Sequence, residues 1–396
     1  MYNTIIEKPD LCCGCGACVS VCPKQCLHLK QDERGFRIVE FEDKEKCISC
    51  GLCSKVCQLQ GEKGSVSDKP YISRYYAQIK NREILSESSS GGVFSALAYS
   101  IIKEGGVVWG VRMRSNGTAT FYCAEDRQSV GLLRGSKYVE VAEPIPFDEI
   151  KRQLNEGRKV LFSGVPCQIK ALKKYLGEWE NLITVDLLCY GIQSPNVWKK
   201  YLSEINHEEK PICNVWFRHK NPRWEDYSIK VEFSDGSTYE QSRWKDPYLL
   251  SYATNLYNRD SCTVCTAKKF PRPGDITLGD FWQIDTIPML PNDLKVNAGV
   301  SVVICNTKIG RKLLEKAKWV MNLYEIPESV FPNMVSRYSG CSSKNPKRAE
   351  FESLLDSCSF KKAVQKTVGC QADKRLRFQW LRLKRVLKKM KGKIKH

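Results

Sequence analysis

The stretches CCGCGACVSVCP, residues 12–23, and CISCGLCSKVCQ, residues 47–58, decide what the N-terminal part of the chain can fold into. Each carries four cysteines with the spacing C-x2-C-x2-C-x3-C, followed by Pro23 in the first stretch and Gln58 in the second. The first three thiolates of such a run can bind three corners of one cubane, and the fourth reaches the neighbouring cluster. The two runs therefore predict two [4Fe-4S] clusters.

The same spacing assigns the eight cysteines to two crossed ligand sets, as in two-cluster ferredoxins. One cluster takes Cys12, Cys15, Cys18 and Cys57, and the other takes Cys47, Cys50, Cys53 and Cys22. The alternative is a pair of zinc knuckles, but zinc takes four ligands in two pairs, and here two identical runs of four occur. Residues 1–60 are therefore predicted to form a two-cluster ferredoxin-type domain. The two surplus thiols, Cys13 and Cys26, are predicted to be spectators.

Composition places the chain among redox or metal proteins. Ten of its 20 cysteines lie between residues 12 and 57. The N-terminus lacks the features of a signal peptide, so these cysteines point to metal or redox chemistry rather than to disulfides, and a cytoplasmic location is expected. A length of 396 residues predicts two or three domains, and no apolar run is long enough to predict a membrane span.

The remainder divides into a linker at 61–72, a core at 73–345 and a tail at 346–396. Gly, Ser, Lys and Asp dominate the linker. In the core, apolar runs alternate with helical patterns, which favours an α/β layer with a mixed sheet. Strands are predicted at 107–111, 160–162, 182–188, 215–217, 228–233 and 237–241, and helices at 92–103 and 168–176. The predicted fold class is thus an α+β ferredoxin-type domain, an α/β core and a basic C-terminal helix.

Two loops of the core could contact an anionic cofactor. SSSGG, residues 88–92, opens an apolar helix, where free backbone amides can bind a phosphate. An ordinary serine N-cap would explain the same residues. RGSKY, residues 134–138, brings Arg134 and Lys137, although a solvated basic turn would look the same.

A second set of four cysteines lies in the core. Cys167 follows one predicted strand, Cys189 follows another, and Cys262 and Cys265 form a C-x2-C pair. Strand ends of an α/β sheet gather in one place, so four thiolates from three segments can meet and hold a further cluster. A zinc site at the C-x2-C pair, or buried free cysteines, are the alternatives.

Several segments together resemble the coenzyme F420 hydrogenase/dehydrogenase beta-subunit family, in a form with a fused N-terminal ferredoxin domain. The resemblance covers roughly residues 1–345 and is carried by SSSGGVFSAL (88–97), LLRGSKYVE (132–140), VLFSGVPCQIKALKKYL (160–176), LITVDLLCYG (182–191), WFRHKNPRW (216–224) and SCTVCTAKKFPRPGDITLGDFW (261–282). One departure is Tyr190, which stands where the family often has His after the cysteine.

The resemblance implies FAD and a third [4Fe-4S] cluster in the core, the latter on Cys167, Cys189, Cys262 and Cys265. It also implies that the two loops line the flavin through Ser88, Ser90, Gly91, Gly92, Arg134, Gly135, Ser136, Lys137 and Tyr138. Candidate substrate-pocket groups are Arg218, His219, Lys220, Arg223 and Asp280, and the catalytic candidates are Lys137, His219 and Asp280. The family name is a label for fold and cofactors, because relatives reduce other acceptors or occur in surface-polysaccharide settings.

The tail is strongly basic. Residues 373–396 contain eleven Lys or Arg and one Asp, with Trp380 and several aliphatic residues between them. Such a helix suits peripheral contact with an anionic membrane at the inner face. A helix docked on the core through its apolar stripe is the alternative, and nucleic acid is a less favoured partner.

Three functions remain open on these grounds. The first is a flavin-dependent iron–sulfur oxidoreductase that exchanges electrons with a ferredoxin or another redox protein and a hydride with an organic substrate. The second is an electron-transfer subunit that docks on a separate catalytic partner. The third is a membrane- or nucleic-acid-bound protein that uses its clusters structurally.

Overall fold

The computed structural model describes residues 7–59 and 73–369. The predicted linker at 61–72 and the basic run at 374–395 lie outside these described residues. Over the described ranges, no helix combines the length and the apolar character needed to cross a bilayer.

The N-terminal module has the expected ferredoxin-type elements. Strands β1 (Leu27–Gln31) and β2 (Arg37–Phe41) pair antiparallel, and each cysteine run contains a short helix, α1 (Ala17–Ser20) or α2 (Leu52–Val56). Gly16 and Gly51 precede these helices with φ angles of 84° and 72°. Because this left-handed conformation is costly for other residues, the glycines let each cysteine loop turn sharply into its helix.

The core is built on a large eight-stranded sheet. Its strands are β3 (Ser73–Ile79), β4 (Val107–Met113), β5 (Ala119–Ala124), β6 (Val160–Gly164), β7 (Leu182–Leu187), β11 (Ile276–Asp280), β12 (Ser301–Cys305) and β13 (Met321–Glu325). They lie in the order β13-β3-β12-β11-β7-β6-β4-β5. The four central strands β4, β6, β7 and β11 are parallel, and every other pairing is antiparallel, so the predicted mixed sheet is confirmed.

Helices cover both faces of this sheet. Those that precede the last strand are α3 (Arg82–Glu87), α4 (Val93–Lys103), α5 (Arg127–Leu133), α6 (Phe147–Asn155), α7 (Pro166–Leu176), α8 (Pro195–Ile205), α9 (Pro247–Ala253) and α10 (Lys308–Ala317). All five residues of β6 and all five of β12 are buried, as expected for strands packed on both sides. Alternate strand residues face two separate apolar clusters, one with helices α4 and α10 and one with α6 and α7.

A separate three-stranded sheet stands beside the large one. It comprises β8 (Ile212–Arg223), β9 (Asp226–Phe233) and β10 (Thr238–Ser242), in the order β10-β9-β8. The turn between β9 and β10 contains Asp235 and Gly236, the dipeptide that predicted a hairpin there.

Three helices close the described chain: α11 (Phe331–Ser339), α12 (Arg348–Ser357) and α13 (Phe360–Val368). The last two fall inside the predicted tail, yet Phe351 and Phe360 are fully buried in one cluster with Trp198 and Tyr248 of the core. The described part of the tail therefore packs on the core through an apolar stripe.

Candidate iron–sulfur and flavin sites

The N-terminal module contains two cavities, each lined by one predicted ligand set. The outer cavity is lined by Cys22, Cys47, Cys50 and Cys53, among other residues. The inner cavity is lined by Cys12, Cys15, Cys18 and Cys57, among others. The fourth cysteine of each run thus lies with the other run, as a crossed two-cluster arrangement requires. These residues fit two cubanes.

A backbone hydrogen bond and burial both affect the predicted cysteine ligands of the inner cavity. The Gly14 amide donates a hydrogen bond to the Cys12 thiol over 3.3 Å, the kind of contact that tunes a cluster's potential. Burial raises the pKa of the Cys12 thiol to about 11 and also raises that of Cys18. Both thiols are therefore protonated without metal at neutral pH, and loading of iron must release these protons.

Among the described residues, no three His, Cys, Asp or Glu side chains converge closely enough to hold a single metal ion. A cubane has a different requirement, because each thiolate binds a different corner and the sulfur atoms stay further apart than around one ion.

The inner cavity lies against the core. The buried Arg259 side chain donates to the carbonyl oxygens of Cys12 and Arg37, each over 2.9 Å, and pairs with the buried Glu140 carboxylate. The amide of Ile145 donates to the Cys15 carbonyl over 3.3 Å. Together these contacts fix the position of the inner cysteine loop relative to the core. The surface where module and core meet is called the docking surface below.

The four core cysteines converge at the ends of two parallel strands. Cys167 lies in the first turn of α7 just after β6, and Cys189 follows β7 by two residues. The pKa of Cys167 is raised by a hydrogen bond with Cys13, by burial and by the nearby thiols of Cys265 and Cys189. Burial and the Cys189 thiol raise that of Cys262. The four core thiols therefore lie in one neighbourhood. Four neighbouring thiols fit the ligand requirement of a cluster, whereas cysteines that merely fill an apolar core are not expected to lie together.

Burial and nearby cations shape this core cysteine site. Burial raises the pKa of Cys189 and brings that of Cys262 to about 12. The buried Lys268 ammonium donates to the Tyr190 carbonyl over 3.2 Å and acts against burial at both thiols. A cation at this position favours the thiolate form that iron requires.

A buried ion pair, which the sequence did not single out, ties the segment that follows the C-x2-C pair to β7. Arg272 donates to the Asp186 carboxylate over 2.9 Å and to the Leu187 carbonyl over 3.0 Å, and both charged side chains are fully buried. The signal was present, because Asp186 is a lone carboxylate in the apolar run LITVDLL. A buried charge requires a partner, and Arg272 supplies it.

The two predicted flavin loops meet. SSSGG connects α3 to α4, RGSKY follows α5, and the Ser136 amide donates to the Ser89 hydroxyl over 2.8 Å. Gly91 approaches β3 and β12 so closely that a Cβ atom would lie 2.3 Å from the Ala77 carbonyl oxygen. The Ser90 hydroxyl donates to the Val300 carbonyl over 3.0 Å, so this serine anchors the loop to the sheet.

Arg218 on β8 carries buried N–H groups close to Tyr138 of the RGSKY loop. Its guanidinium pairs with Asp280 and lies between the rings of Tyr227 and Trp282, 4.6 and 4.9 Å from their centroids. Within residues 7–59 and 73–369, its Nε and Nη2 atoms are buried without a hydrogen-bond partner. Such N–H groups are costly unless a ligand accepts from them.

The side chains of the three catalytic candidates form hydrogen bonds or ion pairs with other residues of the chain. Lys137 donates to the carbonyls that end α5, including that of Arg134 over 2.6 Å, and burial lowers its pKa to about 7. Asp280 pairs with Arg218 and accepts from the Trp224 indole over 2.8 Å. His219, about one-third exposed, contacts Glu240 over 3.1 Å.

Lys220 and Arg223 complete the predicted pocket groups. Lys220 donates to the carbonyls of Leu85, Ser90 and Ala298 over 2.5–2.7 Å, and burial lowers its pKa to about 7. Lys220 therefore fixes the position of the SSSGG loop through hydrogen bonds to its backbone and to the helix before it. Arg223 ends β8, and its Nε atom is buried without a hydrogen-bond partner among the described residues.

Two further thiols lie near the cluster sites. Cys13, predicted to be a spectator, lines the inner cavity and interacts with the Cys167 thiol of the core. Cys341, which no sequence motif singled out, is exposed and donates from its thiol to the Cys265 carbonyl over 3.1 Å. Only the folded chain brings Cys341 beside Cys265.

Comparison with known proteins agrees with the description of the N-terminal module and with that of the core. Residues 11–60 match the family model of a 4Fe-4S dicluster domain. Residues 157–327, which include all four core cysteines, match the model that describes the C terminus of the coenzyme F420 hydrogenase/dehydrogenase beta subunit. The resemblance predicted from the sequence is thereby confirmed over these ranges.

Among solved structures, the chain is similar to one from the F420-reducing [NiFe] hydrogenase complex of Methanosarcina barkeri, studied by xenon derivatization. The identity is 17%, the alignment covers 78% of this chain and 94% of that chain, and the TM-score is 0.46. A search of curated proteins finds no match.

Proposed function

Since the chain joins a 4Fe-4S dicluster domain to a region related to the coenzyme F420 hydrogenase/dehydrogenase beta subunits, we propose that it is an iron–sulfur flavoprotein oxidoreductase. The observation that carries this proposal is that Cys167 interacts with Cys189 and Cys265, that Cys189 interacts with Cys262, and that Cys13 of the inner cavity interacts with Cys167. These four core cysteines would hold a third cluster. The two clusters of the N-terminal module would exchange electrons with it.

The flavin, FAD, would lie at the SSSGG and RGSKY loops. Bound there, it would supply the exchange of a hydride with an organic substrate, whereas clusters move single electrons. Ser136 and Gly91 position the loops, and the unpartnered N–H groups of Arg218 suit a phosphate or the anionic edge of a reduced cofactor. Asp280 holds Arg218 in place and balances part of its charge.

The outer cavity suits the entry of electrons from a ferredoxin or another redox protein. Cys50 is exposed there, and Ile48 beside it exposes 58% of its surface. A short distance from the protein surface to the cluster is what a one-electron partner needs. Electrons would pass from the outer site to the inner site, the core site and the flavin, and the opposite direction uses the same groups.

An electron-transfer subunit for a separate catalytic partner is the second candidate. This candidate is favoured because the side chains of Lys137 and Asp280, two of the catalytic candidates, already form hydrogen bonds or an ion pair within the protein. Turnover of an organic substrate by the purified chain alone would decide against it.

The test is anaerobic purification with iron, sulfide, zinc and flavin counted per chain. About twelve iron, no zinc and one FAD would support the proposal, since each cubane holds four iron atoms. About eight iron without flavin would show that only the N-terminal module carries cofactors. The electron-transfer subunit would then become the better account.

A further inference from the structure

One surface of the core exposes a tryptophan together with a row of cations. It is formed by helix α10 and by the 3-10 turn that follows it, Lys318–Val320. Trp319 exposes 75% of its surface, whereas every other tryptophan of the described ranges is buried or half-buried. Val320 beside it and Ile309 near the start of the helix are also exposed. The exposed side of residues 308–320 is called the α10 face below.

The α10 face is the side of the helix that remains outside after the helix has packed on the sheet. A Cβ atom on Gly310 would lie 2.2 Å from the Asp275 carbonyl oxygen, so the helix lies directly against the chain that enters β11. The apolar residues that pack the helix on the core are therefore already covered, and the exposed ones take no part in that packing. The buried residues of α10 are Gly310, Leu313, Leu314 and Ala317.

The turn that carries Trp319 is fastened to the sheet through its backbone. The Lys80 amide, at the end of β3, donates to the Val320 carbonyl over 2.9 Å, and the Lys80 ammonium donates to the Trp319 carbonyl over 3.2 Å. These hydrogen bonds hold the backbone of the turn while the indole ring stays uncovered. The ring is thus presented to a partner from a fixed position, beside one further cation.

The α10 face is strongly positive. Residues 308–320 contain five Lys or Arg and one acidic residue, Glu315. Glu315 pairs with Lys318 over 2.8 Å, and Lys316 pairs with Glu104 over 2.5 Å. The other three cations are exposed and take part in none of the ion pairs formed among residues 7–59 and 73–369: Lys308, Arg311 and Lys312.

We propose that the α10 face is a contact surface for an anionic lipid bilayer. Exposed cations are attracted to anionic headgroups, and tryptophan favours the level at which headgroups meet hydrocarbon. Ile309 and Val320 lie among the same cations and enter the same layer. Lysine is depleted in protein–protein interfaces relative to the rest of the surface, so a lysine-rich face fits a lipid surface better than it fits an acidic protein.

The contact goes beyond the proposed function and does not depend on it. Helix α10 packs in one apolar cluster of the sheet with α4, whereas α6 and α7 pack in the cluster on the other side. No residue of the α10 face is a predicted ligand of a cluster or of the flavin. Binding to lipid therefore tests the α10 face alone.

The first experiment measures co-sedimentation of the full, cofactor-loaded chain with vesicles. The chain should bind vesicles made of equal parts of phosphatidylcholine and phosphatidylglycerol, and added salt should weaken binding. Vesicles of phosphatidylcholine alone should bind it far less. Because each cation near an anionic surface contributes about fivefold in affinity, Lys308→Gln combined with Lys312→Gln should weaken binding about 25-fold.

A matched control removes the same charge from other surfaces. Lys151 is an exposed residue of α6, and Lys245 is an exposed residue just before α9. Lys151→Gln combined with Lys245→Gln lowers the net charge equally, so this variant should bind the same vesicles within about twofold of the unmodified chain.

The second experiment locates Trp319. Vesicles of the same composition with brominated acyl chains quench indole rings that reach the hydrocarbon boundary. The unmodified chain should lose fluorescence on these vesicles relative to unbrominated ones, and Trp319→Phe should lose clearly less. Half-buried Trp179 is the control, since Trp179→Phe should be quenched as strongly as the unmodified chain.

Three outcomes would overturn the inference and leave the proposed function standing, because no cofactor takes part. Absence of binding to the anionic vesicles would leave an acidic protein as the better partner for this face. Equal weakening in the two lysine pairs would show that binding follows net charge alone. Unchanged binding in the α10 variant, or unchanged quenching in Trp319→Phe, would place the lipid contact elsewhere in the chain.

Discussion

The two cluster cavities of the N-terminal module share a ligand pattern but differ in what surrounds them. The outer cavity opens beside exposed Ile48 and Cys50. The cysteine loop of the inner cavity contacts the core, where Arg259, Glu140 and Ile145 lie against it. The same difference is visible at the glycines: a Cβ atom on Gly51 would meet nothing within 4 Å, whereas one on Gly14 would lie 2.8 Å from two oxygen atoms.

This difference gives the two sites different neighbours. Two repeats with the same cysteine spacing produce one site beside an exposed surface and one whose cysteine loop contacts the core. The asymmetry lies outside the repeats, in core residues such as Arg259 and Glu140. The repeat therefore supplies the ability to bind clusters, and under the proposed function the docking surface determines which cluster faces a redox partner and which faces the core.

The largest expected effect comes from removing one ligand of each cavity. Cys18→Ala at the inner site and Cys53→Ala at the outer site should each lower the iron content by about four atoms per chain. With Cys18→Ala, a reduced ferredoxin should still reduce the outer cluster while the flavin stays oxidised, because the exit site is missing. Anaerobic optical and paramagnetic resonance spectra after mixing check this.

Cys53→Ala should behave differently. It removes the entry site, so reduction by ferredoxin should fail, while a small diffusible reductant should still reduce the inner and core sites. If the two variants instead behaved alike with both reductants, the outer and inner sites would not be ordered entry and exit.

The next effect concerns the docking surface. Arg259→Gln leaves the buried Glu140 carboxylate without its main partner and should cost about 3–5 kcal/mol of stability, the range for breaking a buried ion pair. Arg34→Gln is the matched control, since its partner Asp260 keeps Arg348 at 2.6 Å. Anaerobic denaturant unfolding of the loaded protein measures both, and equal losses would show that the Arg259 pair is not central to docking.

The sequence predicted the cluster ligands, the mixed sheet and several loops, but it did not predict that the two cavities have different surroundings. The eight ligand positions follow from spacing alone, because the ligands of each run lie within eleven residues. The mixed sheet, the β9–β10 hairpin and the loops at 88–92 and 134–138 were likewise local patterns. That Cys167, Cys189, Cys262 and Cys265 could meet followed from the strand ends of the predicted sheet, with a zinc site or free cysteines as alternatives. The resemblance to a family then implied this ligand set, since segments almost 100 residues apart meet only through sheet topology.

What the sequence could not provide is how the module sits on the core. Nothing near Cys13 distinguishes it from Cys26, and both were predicted to be spectators. Their difference arises because Cys13 interacts with Cys167, more than 150 residues away, whereas Cys26 interacts with Cys22 and Cys47 of its own module. The same holds for Glu140 and Arg259, which look like ordinary surface charges until the fold buries them together.

The smallest expected effect tests the glycines of the two cavities. Gly14 and Gly51 both adopt positive φ angles, 67° and 72°. In Gly51→Ala only the backbone conformation is penalised, and a loss of about 1–2 kcal/mol is expected. In Gly14→Ala the same penalty applies, and the added methyl group also meets the Arg37 carbonyl and the Glu140 carboxylate, so the loss should exceed that of Gly51→Ala by about 1–3 kcal/mol. Denaturant unfolding of the loaded protein gives the two values, and iron content shows whether either cluster is lost. Equal losses would mean that the inner loop is free to move away from the core, because a docked loop cannot accommodate the methyl group while a free one can.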